Sequence, residues 1–312
     1  MSTETVTPAA RPVQPPESSA ARPPGQGRAA TGFLLPFALL YLAFILGPAV
    51  YGLVMSFFDA SLVRPGLGGF AGFGNYTEAL QSADFWSSLW HTLWFTILTT
   101  PPLIVLAFVF ALLADRVSRG RWFFRLAFFA PFILPSAVVA LIWIFMYTPE
   151  LGLLEVGLAK IGVTAPAWLG DPTWAMPSLA VTTIWWTLGF NFILYLAGLQ
   201  EIPRDLYEAS AIDGAGPWQQ IRRITVPMLG RTTTLVAVLQ VIASLKVFDQ
   251  MYLMTAGGPD FATRSVLQYV YDQGFTNFRL GYAAAVSMLF FLVVLAVSAV
   301  WFTIVRRQEK EV

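Results

Sequence analysis

Six apolar stretches, each long enough to cross a bilayer, constrain this chain more than any other feature. They run over about 33–58, 89–114, 123–147, 175–200, 231–255 and 281–305. A helix needs roughly 20 mostly apolar residues to span the hydrocarbon core. Backbone that water cannot reach must satisfy its own hydrogen bonds, and continuous apolar runs do so as helices. The expectation is an all-α polytopic membrane protein with six transmembrane helices. Composition agrees, because 56% hydrophobic, 15% aromatic and 12% charged residues is a balance that a soluble domain does not need. Thr182, Thr183, Thr187 and Asn191 dilute the fourth run. Prolines at 36, 48, 101, 102, 131 and 135 predict kinks supported by neighbouring helices.

Residues 1–31 are rich in proline, alanine, serine and glycine without apolar periodicity, and read as a disordered tail. The run that follows is too long for the apolar part of a secretory signal, so it reads as a retained membrane helix. The expected division is therefore 1–31 tail, 32–306 transmembrane domain and 307–312 tail. A net charge of +1 gives no reason to expect nucleic acid, and no cysteine with one histidine argues against disulfides, thiolate chemistry and zinc sites. No metal and no cofactor is expected.

Basic residues favour the cytoplasmic side of short loops. With both termini inside, that side receives Arg11, Arg22, Arg28, Arg116, Arg119, Arg121, Arg125, Arg204, Arg222, Arg223, Arg231, Arg306, Arg307 and Lys310. Of the 19 basic residues, only Arg64, Lys160, Arg264 and Arg279 fall outside, and Lys246 lies within a span. Trp86, Trp90, Trp122, Trp168, Trp174 and Trp301 fall where interfacial belts would lie, against lipid headgroups.

This topology places the polar stretch 201–230, between spans four and five, in the cytoplasm. Pro203 suits a first helical turn, Asp205 complements its dipole, and Gly214 is a left-handed terminator. Pro217 restarts a helix with Trp218, Ile221 and Ile224 on about one face, and Pro227 ends it. The expectation is a helical hairpin along the membrane surface. Taken alone, it is equally an amphipathic connector.

Its residues carry a resemblance. Glu208-Ala209-Ser210, Asp213-Gly214-Ala215, Ile224 and Pro227 resemble the EAA signature of permease subunits of binding-protein-dependent ABC importers. Ser210, Val226 and Arg231 depart from the commoner alanine, leucine and proline. The resemblance extends over about 33–305. Ala130-Pro131 through Trp143 and Leu196 through Pro203 look like sugar-permease patterns. Phe248-Asp249, Thr255 through Pro259, Thr263 and Gly281 through Ala285 are similar to the maltose-type and glycerol-phosphate-type first permease subunit. The resemblance implies a second permease subunit, two ATPase subunits, an extracytoplasmic solute-binding protein and a place in the bacterial inner membrane. It also implies that Glu208, Ala209, Ala211, Asp213, Gly214, Ile224 and Pro227 dock on the ATPase. Here Glu208 is the charged contact, the alanines permit close approach and Gly214 is the corner. The alternative for Glu208 is an ordinary solvated helix charge. The implied cargo is a sugar or polyol, or alternatively glycerol-3-phosphate.

Physical reasoning supplies the candidates for the solute path. Lys246 and Asp249, three apart in span five, would share a helical face with Gln250 beside them, and charges inside membrane helices are functional candidates. The alternative is a structural Lys246–Asp249 pair. In span four, Trp185, Asn191 and Tyr195, with Trp186, offer the aromatic faces and amide that a sugar needs.

No phosphate-binding loop of the G-x-x-x-x-G-K-[ST] kind occurs, so ATP hydrolysis belongs to another chain and this chain reads as non-catalytic. The glycine-rich run Gly66 to Gly72 reads as an outer loop contacting the binding protein or the membrane surface. Two other classes compete. An ion-coupled secondary transporter calls for buried carboxylates, and Asp249 is the only acidic residue well inside a span. A membrane enzyme calls for an acid-base constellation that these scattered carboxylates do not form.

Overall fold

The computed structural model describes residues 26–117 and 120–308, with side chains from Phe33 to Val300 except Arg121, and of Thr303. Most of the expected 1–31 tail, together with Arg11, Arg22, Arg119 and Lys310, lies outside the described residues, as does the side chain of Trp301. The described chain is helical. Its one extended pairing is an isolated antiparallel bridge between Phe58 and Phe70.

The chain divides into two compact units, up to Tyr51 and from Gly52 onward. The first begins with α1 (Gln26–Tyr41), so helical backbone starts within the stretch that composition assigns to the tail. A π-helical turn at Leu42–Leu46 leads into α2 (Gly47–Met55). That wider turn lies just before Pro48, whose missing N–H leaves a carbonyl of the preceding turn unpaired. The apolar stretch Phe33–Met55 is 23 residues long.

The second unit opens with a hairpin in which Asp59 N–H donates to the Gly69 carbonyl and Ala71 N–H to the Phe57 carbonyl. This folds the glycine-rich run back on the chain. Asn75, in α3 (Gly74–Gln81), fastens it by donating Nδ2 to the Ser56 and Phe58 carbonyls at 3.0 and 3.1 Å. The Asn-X-Thr sequence there therefore carries a buried structural amide.

α4 (Ala83–Arg116) is capped by Ser82 and runs 34 residues, straight through Pro101 and Pro102. Both prolines, where kinks were expected, lie inside one continuous helix. α5 (Arg121–Ile133) and α6 (Ser136–Tyr147) divide the third apolar run, meeting at 98° across Leu134 and Pro135. Pro131 and Pro135 remove helical donors. The Trp186 indole N–H donates to the Leu134 carbonyl at 3.2 Å, supplying a partner at the break. α7 (Leu153–Lys160) precedes α8 (Pro172–Gln200), which starts with Asp171 accepting from Thr173 N–H and Pro172 in the first turn. α8 packs on α4 and on α5. A Cβ at Gly189 would land on the Phe128 carbonyl, so α5 crosses α8 at a point that only glycine permits.

α9 (Arg204–Ile212), α10 (Pro217–Gln220), a π turn at Ile221–Thr225 and α11 (Val226–Met228) form the expected hairpin. α12 (Gly230–Leu245) leaves it at a 63° bend. α13 (Asp249–Thr255), α14 (Val266–Tyr271) with a following π turn, and α15 (Leu280–Gln308) complete the chain.

Among the described residues four helices are long and apolar enough to cross a membrane, and up to six spans result if α5 with α6, and 217–228 with α12, each count as one. At about 1.5 Å per residue, α4 and α8 extend to roughly 51 and 44 Å, well beyond an apolar core of about 30 Å. Their ends therefore emerge on both sides. Three buried apolar clusters hold the second unit, built around Phe95 with Met251, around Phe192 with Leu229, and around Phe85 with Val286.

Candidate functional site

α12 ends at Lys246, where ψ turns to 17°, and α13 starts at Asp249 after Phe248, whose φ of −141° and ψ of −57° are neither helical nor extended. Lys246 and Asp249 consequently do not share a helical face, which corrects the periodicity expected from their spacing. Neither glycine nor proline marks the break. Packing makes it: Val247 is buried in the cluster with Trp143 and Met251, and the Phe248 ring stacks on Tyr252 at 5.2 Å and tilts against Tyr271 at 5.6 Å. Among the described residues no ion pair joins Lys246 to Asp249.

The break forms one wall of a cavity of about 260 Å³. Lys246, Asp249 and Gln250 line it, opposite Phe95 of α4 and Thr183, Trp186 and Thr187 of α8, with Gln240 and Ser244 of α12 between. Three of the six residues proposed for the solute path are therefore brought together. The other three stand elsewhere. Asn191 is fully buried behind the cavity, where its Nδ2 donates to Gln240 Oε1 at 3.1 Å and fixes that amide. Tyr195 is fully buried, edge-on to Phe108 in an apolar cluster. Trp185 lies edge-on to Trp143.

The lining is rich in amide, hydroxyl and aromatic groups, with one cation and one carboxylate. Such a surface exchanges hydrogen bonds with a neutral polyhydroxylated solute and offers the indole face to its CH groups. Gln240, Ser244 and Thr183 were absent from the sequence-based set. Gln240 was detectable as an amide inside an apolar run, but nothing local says that it faces the same space as Lys246.

In the hairpin, Gly214 has φ +81° and forms the corner, with its N–H donating to the Ala211 carbonyl. Two inward side chains join the arms. Tyr207 Oη lies 2.9 Å from Thr225 Oγ1, while Gln220 Nε2 donates to the Tyr207 carbonyl and to Ser210 Oγ, both at 3.0 Å. Ser210, the departure from alanine in the EAA pattern, thus accepts a hydrogen bond that alanine could not. Glu208, Ala209, Ala211, Asp213 and Gly214 are exposed, and Ile212 is 88% exposed. Ile224 packs against the cluster containing Tyr207 and Leu229, and Pro227 is exposed beyond the π turn. Trp218 is 73% exposed, so it does not share the inward, half-buried setting of Ile221 and Ile224 that was expected for all three. Behind the hairpin, a second cavity of about 600 Å³ is lined by Arg116, Arg204, Tyr207 and Gln220.

Long apolar helices, a polar cavity at a helix break and a polar hairpin between helices define a polytopic membrane permease. The chain belongs to the family of binding-protein-dependent transport system inner membrane components, which matches residues 103–310. It is the membrane-embedded permease subunit of an ABC importer. It is 33% identical over 276 residues to the sulfoquinovosyl glycerol transport system permease protein SmoG of Agrobacterium fabrum, covering 88% of this chain and 90% of that one. It is 34% identical over 281 residues to the trehalose/maltose transport system permease protein MalF of Thermococcus litoralis, covering 88% and 92%. Its fold is similar to a chain in the crystal structure of a bacterial alginate ABC transporter in complex with alginate pentasaccharide-bound periplasmic protein. That similarity has a TM-score of 0.80 and 26% identity, and covers 90% of this chain and 94% of the other.

Proposed function

We propose that this permease carries a sugar or related polyol, handed over by an extracytoplasmic binding protein, through the cavity at the break between α12 and α13. The observation that carries this reading is the lining itself, with Gln240, Gln250, Ser244, Thr183, Thr187 and Trp186 around one space. The cargoes named for these relatives and for the similar structure, sulfoquinovosyl glycerol, trehalose or maltose, and alginate, are carbohydrates and support the class. The volume of 260 Å³ falls just below the roughly 300–1,000 Å³ of complete small-molecule sites. That fits a site completed by a second permease subunit.

Six spans follow if α5 with α6, and α12 with its continuation past the break, each cross once. Residues 32–306 then form the transmembrane domain between the tails 1–31 and 307–312. The bias of basic residues supports both termini in the cytoplasm, which puts the hairpin 201–230 there and Arg264 and Arg279 outside. The exposed row Glu208, Ala209, Ala211, Asp213 and Gly214 would seat in a cleft of an ATPase subunit, with Ile224 and Pro227 bracing it from the second arm. ATP would be hydrolysed by two such subunits and not by this chain.

The test is uptake by the chain purified with its co-encoded permease, ATPase and binding-protein partners and reconstituted in liposomes, against a panel of labelled sugars and polyols. Uptake that needs ATP and the binding protein supports the reading. Uptake by this chain alone, driven by an ion gradient, overturns it.

A further inference from the structure

Arg264 is the one arginine among the described residues that is buried, at 5% exposure, and it lies in the irregular segment between α13 and α14. Its Nη2 stands 3.0 Å from Asp84 Oδ1, an ion pair without an aligned hydrogen bond, and its Nε donates to Ser88 Oγ at 3.3 Å. The guanidinium carbon lies 4.2 Å from the Phe261 ring centre and 5.0 Å from that of Tyr269. Withdrawing a guanidinium from water costs several kcal/mol even when it is paired. Stability alone is therefore a poor reason for placing one here.

The contacts on either side have a direction. On α4, Asp84, Ser88 and Thr92 recur every fourth residue and form one helical face. Thr92 Oγ1 accepts from Val266 N–H at 3.0 Å, and Ser82 Oγ, just before the helix, lies 3.3 Å from Tyr269 Oη. On the other side, Thr263 Oγ1 lies 2.7 Å from Thr255 Oγ1 and donates to the Gly258 carbonyl at 2.8 Å. Thr255 is the last residue of α13, whose first two residues, Asp249 and Gln250, line the cavity. α13 spans seven residues, so the chain of contacts runs from α4 to the cavity wall within about 11 Å of helix.

We propose that Arg264 is a positioning residue for transport: it clasps the segment after α13 to one face of α4 and so sets where Asp249 and Gln250 stand in the cavity wall. This rests on the reading of that cavity as the solute path. Because the seven-residue α13 is not otherwise anchored to α4 by a hydrogen bond among the described residues, loosening the clasp moves the wall without removing any lining group.

The chain contains no cysteine, so Asp249→Cys introduces a single thiol whose maleimide labelling rate reports the position of the wall in the assembled, reconstituted complex. With Arg264→Gln added, that rate is expected to change about 2- to 30-fold, the range of coupling carried by such networks. Arg264→Lys, which keeps the charge but not the fork, should fall between. In chains retaining Asp249, uptake should fall over a similar range with Arg264→Gln while the amount of protein in the membrane is unchanged. An unchanged labelling rate overturns the clasp. A shifted labelling rate with unchanged uptake upholds the clasp and removes the cavity from the solute path. If Arg264→Gln does not accumulate, Thr92→Val, which deletes only the acceptor for Val266 N–H, decides by the same labelling comparison.

Discussion

Tyr207 and Thr225 meet at 2.9 Å between their hydroxyls, joining the two arms of the hairpin on the side away from the exposed row of Glu208. With the two hydrogen bonds of Gln220, this makes the hairpin a braced unit, so that a push on the first arm reaches α12 through the second. A neutral hydrogen bond contributes about 0.5–1.5 kcal/mol net. Gln220→Ala, which removes two, should therefore speed backbone hydrogen exchange at 211–216 more than Tyr207→Phe, which removes one. Equal exchange in both variants and the parent would refute the brace.

Glu208 is exposed and makes no ion pair among the described residues. Glu208→Lys should leave thermal stability within about 0.5 kcal/mol, yet abolish uptake if that charge docks on the ATPase. Gly214→Ala should behave differently, since alanine at φ +81° costs about 1–2 kcal/mol. It should weaken the corner and slow uptake without abolishing it. Parallel measurements of melting and uptake separate the two effects; full uptake with Glu208→Lys would remove the docking role.

Glu78 and Arg279 form a two-pronged pair at 2.7 Å on each arm, half-exposed, between α3 and the start of α15. The hydrogen bond from Arg279 holds the Glu78 carboxyl below its ordinary value of 4.5. A depressed carboxyl adds stability that is present above its unfolded value and lost as pH falls through its folded value. The melting difference between the native chain and Glu78→Gln should therefore persist from neutral pH down to about 4.5 and close below it. For an exposed pair it should not exceed about 1 kcal/mol and should shrink with salt. A difference that grows on acidification would contradict this origin.

Trp186→Phe should destabilise the chain by about 0.5–1.5 kcal/mol, because it removes the indole hydrogen bond to the part-buried Leu134 carbonyl. Trp185→Phe removes no bond of this kind and should cost less. Comparing the melting of the two variants in detergent checks the assignment, and equal losses would sink it.

The helical, multi-pass character was legible because length and apolarity alone decide whether a helix can lie in lipid. The corner at Gly214 was legible for a related reason, since a left-handed residue between prolines advertises itself. The break at Lys246 to Phe248 was not. It arises from the Phe248 ring meeting Tyr252 and Tyr271, a contact between segments that local propensity does not register. Which polar residues of α8 face the cavity was equally hidden. Lipid and neighbouring helices are both apolar, so the pattern in the sequence does not mark the inward face. Thr183 and Trp186 reach the cavity, whereas Asn191 and Tyr195, on the same helix, are buried beyond it. Arg264 read as an outer loop charge because its polar partners on α4 are remote in the chain, Ser88 lying 176 residues earlier.

The Trp186 indole lines the cavity and, through its N–H, holds the carbonyl at the bend between α5 and α6. One ring is thus both wallpaper and hinge pin. A solute that tilted it would strain the bond to Leu134, and the angle between two helices would register that the cavity had been filled.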